Sequence, residues 1–374
     1  MVRLGDVATY INGYAFKPSD WSDTGLPIIR IQDLTGNSYQ ANRYNGEYSS
    51  KYEVNNGDVL ISWSASLGVY VWHGEKALLN QHIFKVVFNK EEISKNFFVY
   101  QVENILEKAA SEAHGATMKH LTKPVFDALP FYLPSVEEQR RIAATLDKVT
   151  DLISKRRQQL DKLDELVKAR FVEMFGDPAT NPKGWDKGTI RDVVTEVKYG
   201  TSKPAVEGGT YKYLRMGNIT YDGHLDLTDL KYIDVPESEL DKCTVKKGDV
   251  LFNRTNSKEL VGKTCVYNLD ETMVIAGYII RVRVNNRVLP EYLSAVLNSS
   301  YGKKTLAEMC KAIVGQANIN AQELQNIQIV IPPLELQYEF LKVIQKIEKI
   351  NLPISRSLEK LQTLKKALMQ EYFK

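Results

Sequence analysis

The sequence is poor in cysteine and contains no long apolar run. Its three cysteines, Cys243, Cys265 and Cys310, lie in the second half and form no Cys-x-x-Cys pair, which argues against a disulfide framework or a zinc site. No apolar stretch approaches the ~18 residues that a membrane helix needs, and residues 1–6 do not resemble a signal segment. We therefore expect a soluble, cytoplasmic protein with no membrane partner.

A strong excess of either charge is also lacking, because 49 basic and 46 acidic residues leave a formal net charge of +3. A protein that wraps DNA unaided is usually more basic, since neutralising phosphates supplies most of the non-specific affinity. Charge alone therefore does not predict a nucleic-acid partner. The length of 374 residues predicts two domains, each able to bury its own core.

No catalytic or metal-binding pattern is present. The five histidines are scattered, and none stands in an H-E-x-x-H pattern. Residues 262–264, Gly-Lys-Thr, resemble the end of a phosphate-binding loop, but the first glycine that such a loop requires is replaced by Ser257. We also find no nucleophile elbow, kinase motif set, dinucleotide fingerprint or amino-methyltransferase motif. The sequence therefore offers no convincing catalytic constellation, and we expect no cofactor and no metal.

What the chain does contain is an internal repeat. The 43 residues Leu133 to Phe175 align without a gap to Ile331 to Phe373, with twelve identities. Both copies open with Pro-x-x-Glu-x-Gln and close with Phe, which helix periodicity does not explain. The repeat continues into the preceding regions, where Gly-Asp-Val-Leu occurs at residues 57–60 and again at residues 248–251. Each half of the chain is therefore one globular region followed by one helical arm.

Within the globular regions, short β-branched or aromatic runs separated by turn residues predict strands. Helices are expected at about 94–108 and 291–306, so the class is mixed α and β. In the arms, apolar residues recur with the 4-3 spacing of a coiled-coil seam, and Pro353 is expected to break the second helix or to start a new one. The alternative for a single copy is an amphipathic helix packed on its own domain, but two copies favour pairing of the arms. The predicted first-arm seam contains Ile142, Leu146, Val149, Ile153, Leu160, Leu163, Val167 and Met174, and the second contains Phe340, Ile344, Ile347, Ile354, Leu358, Leu361, Leu368 and Tyr372.

We predict an α+β fold with two tandem mixed α/β domains, separated by two long helices that form an antiparallel coiled coil with pseudo-twofold symmetry. A stretch rich in Gly, Pro and Asn links the two halves. The expected boundaries are domain one at 1–132, first arm at 133–176, linker at 177–185, domain two at 186–330 and second arm at 331–374.

One polar loop follows the Gly-Asp-Val-Leu strand in each globular region. In the second it comprises Asn253, Arg254, Thr255, Asn256 and Ser257, and in the first it runs from Ser62 to Ser66. Asn and Arg side chains can make bidentate hydrogen bonds to adenine and guanine edges, and short hydroxyls suit bases or phosphates. The alternative is that these residues simply build a turn after a strand. Duplication of the loop with different residues favours two readers of different sequences.

These motifs, in this order and duplicated, resemble the specificity subunit of type I restriction-modification systems, and the resemblance covers essentially the whole chain. It rests on Leu-Gly-Asp-Val at residues 4–7, the two Gly-Asp-Val-Leu strands, the Asn-Arg-Thr-Asn-Ser loop at 253–257 and the opening of each arm. The resemblance implies two target recognition domains, each reading one half of a bipartite asymmetric DNA site. Its implied partners are double-stranded DNA, two methyltransferase (modification) subunits bound to the conserved helical arms, and a restriction/translocase subunit. Methylation and cleavage belong to those partners.

The candidate DNA contacts fall into two groups. In domain two, the base-reading candidates are the loop residues Asn253, Arg254, Thr255, Asn256 and Ser257 together with Arg215, Asn218 and Tyr278. In domain one, they are Ser62, Trp63, Ser64, Ser66, Arg30, Gln81 and His82. The phosphate candidates are Lys203, Lys263, Lys119 and His120. The alternative for each is structural, and Arg30 and Arg215 in particular could pair with a carboxylate.

Two functions from other classes remain open at this stage. One is an interaction or scaffold protein that does not bind DNA, in which the coiled coil is the function. The other is an enzyme with an unrecognised site, such as a nuclease acting alone.

Overall fold

The structure is a computed structural model that describes residues 1–36, 42–64, 66–112, 122–258, 260–310 and 316–374. The chain forms two compact units, one comprising Met1–Arg157 with Arg356–Lys374, and the other Gln158–Ser355. Each unit contains a globular α/β region and one end of each of two long helices, which confirms the predicted mixture of two tandem α/β regions and two helical arms. Among the described residues, no helix is long and apolar enough to span a membrane.

The first unit has two four-stranded sheets. The strands of this unit are β1 (Val2–Arg3), β2 (Thr9–Asn12), β3 (Leu26–Ile29), β4 (Arg43–Tyr44), β5 (Glu53–Val54), β6 (Val59–Ser62), β7 (Gly68–Val71), β8 (Ala77–Leu79), β9 (Ile83–Val87) and β10 (Pro130–Phe131). The main sheet is antiparallel and has the order β2-β9-β6-β7. The second sheet has the order β4-β3-β8-β5, in which β3 and β8 are parallel. Its helices are α1 (Leu4–Val7), α2 (Ile31–Leu34), α3 (Lys95–Glu112), α4 (Lys123–Asp127) and the start of α5 (Val136–Phe175), with 3-10 turns at Pro18–Asp20 and Ser50–Tyr52.

The second unit repeats this topology. Its strands are β11 (Asp186–Thr189), β12 (Val194–Tyr199), β13 (Tyr211–Leu214), β14 (Lys231–Ile233), β15 (Thr244–Val245), β16 (Asp249–Asn253), β17 (Thr255–Asn256), β18 (Thr264–Tyr267), β19 (Met273–Ile275), β20 (Ile279–Val284), β21 (Ala317–Asn318) and β22 (Gln328–Ile331). The main sheet has the order β12-β20-β16-β18, and the second sheet has the order β14-β13-β19-β15. Its helices are α6 (Glu237–Cys243), α7 (Pro290–Asn298), α8 (Ser300–Met309), α9 (Ala321–Gln325) and the start of α10 (Leu334–Tyr372), with 3-10 turns at Ile190–Val193 and Met216–Asn218.

One predicted helix is divided in the structure. The stretch expected at 291–306 forms α7 and α8, because the chain leaves helical geometry at Ser299. The Ser299 side chain accepts a hydrogen bond from the backbone N–H of Gly302 at 3.2 Å, which caps the second helix. The stretch expected at 94–108 is the single helix α3.

One inner strand of each main sheet, β6 in the first unit and β16 in the second, is buried on both faces. In β6, Val59 and Ile61 belong to the core shared with α3 and the long helices, whereas Leu60 belongs to the core of the second sheet. In β16, Val250 and Leu251 divide in the same way. Burial on both faces explains why these strands are continuous apolar runs rather than alternating ones.

The two long helices run antiparallel, and their ends pack in a reciprocal way. In the first unit, Ile142 and Leu146 near the start of α5 share a core with Met369 and Phe373 near the end of α10. In the second unit, the start of α10 packs against the end of α5 through the side chains of Phe340, Ile344, Phe171 and Phe175. Since Phe171 aligns with Met369 and Ile142 with Phe340, each unit uses equivalent positions of the repeat with the roles of the helices exchanged.

The seam differs from the prediction in two respects. Phe171 and Met369 are 2% and 7% exposed and take core positions that the 4-3 spacing did not assign. The expected break at Pro353 is wrong, because α10 continues through it. Proline removes one backbone donor, and the affected turn lies on an exposed face where water can satisfy the freed carbonyl of Lys349.

Candidate nucleic-acid interface

Three strand ends meet at one end of the main sheet in the first unit. β2 ends at Asn12 opposite Phe84, and β6 ends at Ser62 opposite Ile83, the first residue of β9. Because these strands are antiparallel, the loops that follow β2 and β6 and the loop that precedes β9 leave the sheet at the same edge. We call residues 12–14, 62–64 and 80–82 the first loop edge.

The second unit has the same arrangement. β12 ends at Tyr199 opposite Ile280, and β16 ends at Asn253 opposite Ile279, the first residue of β20. We call residues 199–201, 253–257 and 276–278 the second loop edge.

Matching backbone hydrogen bonds hold the two loop edges. The Trp63 N–H donates to the His82 carbonyl at 3.2 Å, and the Arg254 N–H donates to the Tyr278 carbonyl at 2.9 Å. A second pair joins the neighbouring loops, from the Gln81 N–H to the Tyr14 carbonyl at 2.8 Å and from the Gly277 N–H to the Thr201 carbonyl at 2.7 Å. Trp63 and Arg254 therefore occupy one equivalent position, and His82 and Tyr278 another.

At the second loop edge, two of the sequence candidates present large polar groups. The Arg254 guanidinium carbon lies 4.8 Å from the centre of the Tyr199 ring. Tyr278 is 53% exposed, so its ring and hydroxyl are accessible to a ligand. Asn256 and Ser257 are half-buried beside them. Stacking surfaces and hydrogen-bond donors of this kind suit the edges and faces of nucleic-acid bases.

Other candidates in the same loop are buried. Asn253 is 0% exposed, and among the described residues neither atom of its side-chain amide has a hydrogen-bond partner. Thr255 is 9% exposed and its hydroxyl lies 3.1 Å from Asn318 Oδ1, where β17 pairs with β21. These two side chains are buried, so they stabilise the loop conformation from the interior of the protein.

Arg215 and Asn218 form a turn after β13. Asn218 Oδ1 accepts a hydrogen bond from the Arg215 N–H at 2.8 Å, and its Nδ2 donates to the Asp226 carbonyl at 2.8 Å. The Arg215 guanidinium pairs with Asp229 at 2.7 Å and lowers the pKa of that carboxyl. The carboxylate partner considered from the sequence is therefore present. The turn adjoins the second loop edge, because the Ala276 N–H donates to the Leu214 carbonyl at 2.9 Å.

The two lysine candidates of the second unit are engaged within the protein. Lys203 forms an ion pair with Glu239 at 2.9 Å. Lys263 is 8% exposed, and its ammonium donates to the Met216 carbonyl at 2.8 Å. Burial lowers the pKa of Lys263. Lys263 therefore fixes the turn after β13, and only Lys203 lies near enough to the surface to exchange its partner for a phosphate.

At the first loop edge, Trp63 is the largest candidate side chain. Its ring stacks on Phe84 with centroids 5.6 Å apart and meets His82 edge-on at 4.9 Å. His82 has a φ of 73°, a backbone conformation that is uncommon for residues other than glycine and turns its loop sharply. Ser62 and Ser64 are buried at 0% and 5% exposure, with the Ser62 hydroxyl bonded to the Ser66 carbonyl, whereas the side chain of Ser66 is exposed.

Arg30 and Gln81 complete the first group. Arg30 lies beside the loop edge because the Asn80 N–H donates to the Ile29 carbonyl at 3.3 Å. Its guanidinium donates to Gln32 Oε1 at 2.7 Å and lies 5.4 Å from the Trp21 ring centre. Lys119 and His120 lie outside the described residues.

Sequence reasoning missed two neighbours of these side chains, Asn12 and Tyr199. Asn12 Oδ1 accepts a hydrogen bond from Trp63 Nε1 at 3.3 Å, and Tyr199 lies against Arg254. The available signal was a shared glycine, since each residue is followed immediately by a glycine, Gly13 or Gly200.

Comparisons with known proteins agree in pointing to one family. A family model described as the type I restriction modification DNA specificity domain matches residues 1–164 and 182–364. The type I restriction enzyme EcoBI specificity subunit of Escherichia coli is 22% identical over 410 residues, covering 100% of this chain and 85% of that protein. The MjaVIII specificity subunit of Methanocaldococcus jannaschii is 24% identical, covering 99% and 90%. The crystal structure of a type I restriction-modification S subunit from M. genitalium shares the fold, with a TM-score of 0.51, 14% identity and coverage of 100% and 95%.

Proposed function

Because this chain belongs to the type I restriction-modification DNA specificity family, we propose that its two loop edges read the two halves of a bipartite, asymmetric DNA site. One observation carries the proposal. The two units repeat one backbone frame, yet the equivalent positions hold Trp63 and His82 in one and Arg254 and Tyr278 in the other. Equal frames with unequal side chains suit the recognition of two different sequences at one site.

The buried candidates support the loops, and the more accessible candidates contact DNA. The buried ones are Ser62, Ser64, Asn253, Thr255 and Lys263. Base contacts are assigned to Arg254, Tyr278, Asn256 and Ser257 in the second unit, with Arg215 at the margin, and Lys203 is assigned a phosphate contact. In the first unit, base contacts are assigned to Trp63, His82, Gln81, Ser66 and Arg30. Direct readout by a guanidinium requires a fixed plane that can present two N–H groups to a guanine edge. Arg254, whose guanidinium carbon lies 4.8 Å from the centre of the Tyr199 ring, is the strongest candidate for such a contact.

The long helices are proposed to dock two methyltransferase subunits and to set the distance between the half-sites. Large apolar side chains remain exposed on them, which marks surfaces suited to a protein partner. In the second unit these are Leu166, Val172, Ile350 and Leu352, each between 44% and 53% exposed. Partner subunits that clamp the phosphates also account for the low net charge of +3.

Methylation and cleavage are assigned to those methyltransferase subunits and to a restriction/translocase subunit, with this chain as the non-catalytic reader in the cytoplasm. The family assignment favours this function over a coiled-coil protein that does not bind DNA.

The test is to determine the methylated motif of cells that carry the chain with its methyltransferase, and then to substitute Arg254→Ala. We expect relaxed or lost recognition at one base pair of one half-site, at a cost of about 1–3 kcal/mol. Arg287→Ala is a matched control, because it removes the same charge beyond the opposite end of β20. Equal loss over both half-sites would contradict the assignment of one half-site to each unit, as would an effect of Arg287→Ala equal to that of Arg254→Ala.

A further inference from the structure

In both units the last residue of the first main-sheet strand contacts the side chain that is proposed to read DNA. We propose that Tyr199 and Asn12 are positioning residues, which orient Arg254 and Trp63 and thereby determine how sharply each half-site is discriminated. The proposal rests on the proposed DNA-reading function and adds to it two residues that have no direct part in the base contacts assigned above.

The positions are equivalent by register. Asn12 pairs with the second residue of β9, Phe84, and Tyr199 pairs with the second residue of β20, Ile280. The glycine that follows each of them lies too close to its neighbour for any side chain. A Cβ on Gly13 would lie 2.0 Å from the Asn80 carbonyl oxygen, and a Cβ on Gly200 would lie 2.1 Å from that of Ile275. The strand ends are thus fixed against the loop that carries His82 or Tyr278.

Tyr199 provides the aromatic surface against which Arg254 lies. An arginine side chain has several rotatable bonds and loses rotamer freedom when it makes a bidentate contact. Contact with the Tyr199 ring at 4.8 Å restricts the guanidinium before DNA arrives. Among the described residues, no hydrogen bond or ion pair holds this guanidinium, and its Nε is buried without a partner.

The Tyr199 ring is itself fixed. Its hydroxyl oxygen accepts a hydrogen bond from the backbone N–H of Ala321 at 2.7 Å, at the first residue of α9. The ring is therefore held at its hydroxyl end by the protein, while one face remains against Arg254. A ring that is anchored on a neighbouring element orients the arginine without itself contacting a base.

Asn12 acts on Trp63 through a hydrogen bond instead of a ring. The indole has a single donor, Nε1, and it points to Asn12 Oδ1 at 3.3 Å. Stacking on Phe84 fixes the plane of the indole, and the bond to Asn12 fixes its rotation within that plane. Asn12 is exposed, so its removal leaves the core of the domain intact.

The first experiment compares Tyr199→Leu with Tyr199→Phe in the full complex with its methyltransferase, using motif sequencing and binding to duplexes that differ at single base pairs. Tyr199→Leu removes the aromatic face, whereas Tyr199→Phe keeps the face and removes only the anchor to Ala321. We expect Tyr199→Leu to reduce discrimination at the base pair read by Arg254 by roughly 3- to 30-fold. Tyr199→Phe should retain most of it.

A double substitution separates positioning from general stability. If Tyr199 acts through Arg254, then Tyr199→Leu adds no further loss of discrimination in an Arg254→Ala background. Additive losses, or a loss spread evenly over both half-sites, would overturn the proposal. If Tyr199→Leu impairs folding, the first unit provides an independent test.

In the first unit, Asn12→Ala and Trp63→Phe each remove one partner of the same hydrogen bond. Both should weaken discrimination at the same base pair of the other half-site, and the double variant should resemble the single ones. Asn89→Ala, an exposed asparagine beyond the opposite end of β9, is the control. No change in Asn12→Ala, where Trp63→Phe has an effect, would overturn the proposal for Asn12. Failure of the proposed DNA-reading function is distinguishable from failure of this proposal. In that case the wild-type complex would give no bipartite motif, and Arg254→Ala would not alter base discrimination.

Discussion

The side-chain oxygen of Gln139 accepts a hydrogen bond from the backbone N–H of Ser94 at 2.8 Å, at the N-terminus of α3. Gln337 does the same for the N–H of Leu289 at 2.8 Å, at the N-terminus of α7. Both glutamines are 1% exposed, and each also donates to the carbonyl of the proline five residues before it, Pro134 or Pro332. The shared Pro-x-x-Glu-x-Gln opening is therefore a structural joint between each arm and the helix of its own globular region.

Gln139→Ala and Gln337→Ala should each destabilise one unit, because both leave buried backbone groups without a partner. We expect a loss of about 1–3 kcal/mol in the free energy of unfolding, measured by denaturant titration. The exposed glutamate of the same motif is the control, since Glu137→Ala and Glu335→Ala should change stability by less than ~0.5 kcal/mol. Equal effects of the glutamine and glutamate substitutions would show that the buried hydrogen bonds do not contribute to the free energy of unfolding.

Lys303 should make the protein less stable near neutral pH than its methionine variant. Its ammonium is buried without a hydrogen-bond partner among the described residues, 4.6 Å from the Tyr221 ring, and burial lowers the pKa of Lys303 to about 8. Between pH 8 and the unfolded value of ~10.4, the unfolded state binds more protons than the folded state, so stability rises with pH over that window.

Lys303→Met should therefore raise the free energy of unfolding at pH 7 by about 1–3 kcal/mol, which is measured as a higher Tm. The difference from wild type should shrink toward pH 10. Lys304→Met, on the exposed neighbouring residue, is the control and should show no such pH dependence. A pH-independent difference between Lys303→Met and wild type would contradict the assignment of a buried charged amine.

His224 should contribute a small, pH-dependent stabilisation. Its Nε2 lies 3.1 Å from Asp164 Oδ1 on α5, and this hydrogen bond is the main cause that raises the pKa of His224. A raised pKa gives stability that is fully present below the unfolded value of ~6.5 and is lost as the pH rises through the folded value. Because the side chain is 54% exposed, the effect should be below ~1 kcal/mol.

Comparison of His224→Gln with wild type by thermal unfolding at pH 5.5 and pH 8.5 tests this. The variant should have the lower Tm at pH 5.5 and nearly the same Tm at pH 8.5. The opposite order would show that the imidazolium is not stabilised by Asp164.

Four residues inserted after Leu160 in α5 should change the spacer between the half-sites while leaving their sequences unaltered. The insertion adds ~6 Å of helix and is close to one full turn, so the apolar face stays nearly aligned. The measurement is the methylated motif of the variant complex. A changed half-site sequence, with or without a changed spacer, would show that the arm is not a passive ruler.

The repeat predicted the two-unit organisation and the loops that carry Trp63 and Arg254, because both loops follow the same local motif. It could not predict Asn12, which lies 51 residues from Trp63 and meets it only through strand pairing. Phe171 was missed for a related reason, since its partners Tyr292 and Phe340 come from distant elements that widen the seam at that point. The error at Pro353 arose because a local propensity was overridden by packing of the helix on both sides of it.

The most direct test of the central claim is sequencing of methylated bases in cells that carry this chain with its methyltransferase, compared with cells that lack the chain. Two equivalent loop edges with different side chains predict a new motif of two unlike half-sites separated by a spacer of fixed length and unspecified sequence. A soluble complex that yields no new motif, or one continuous motif without a spacer, would contradict the claim.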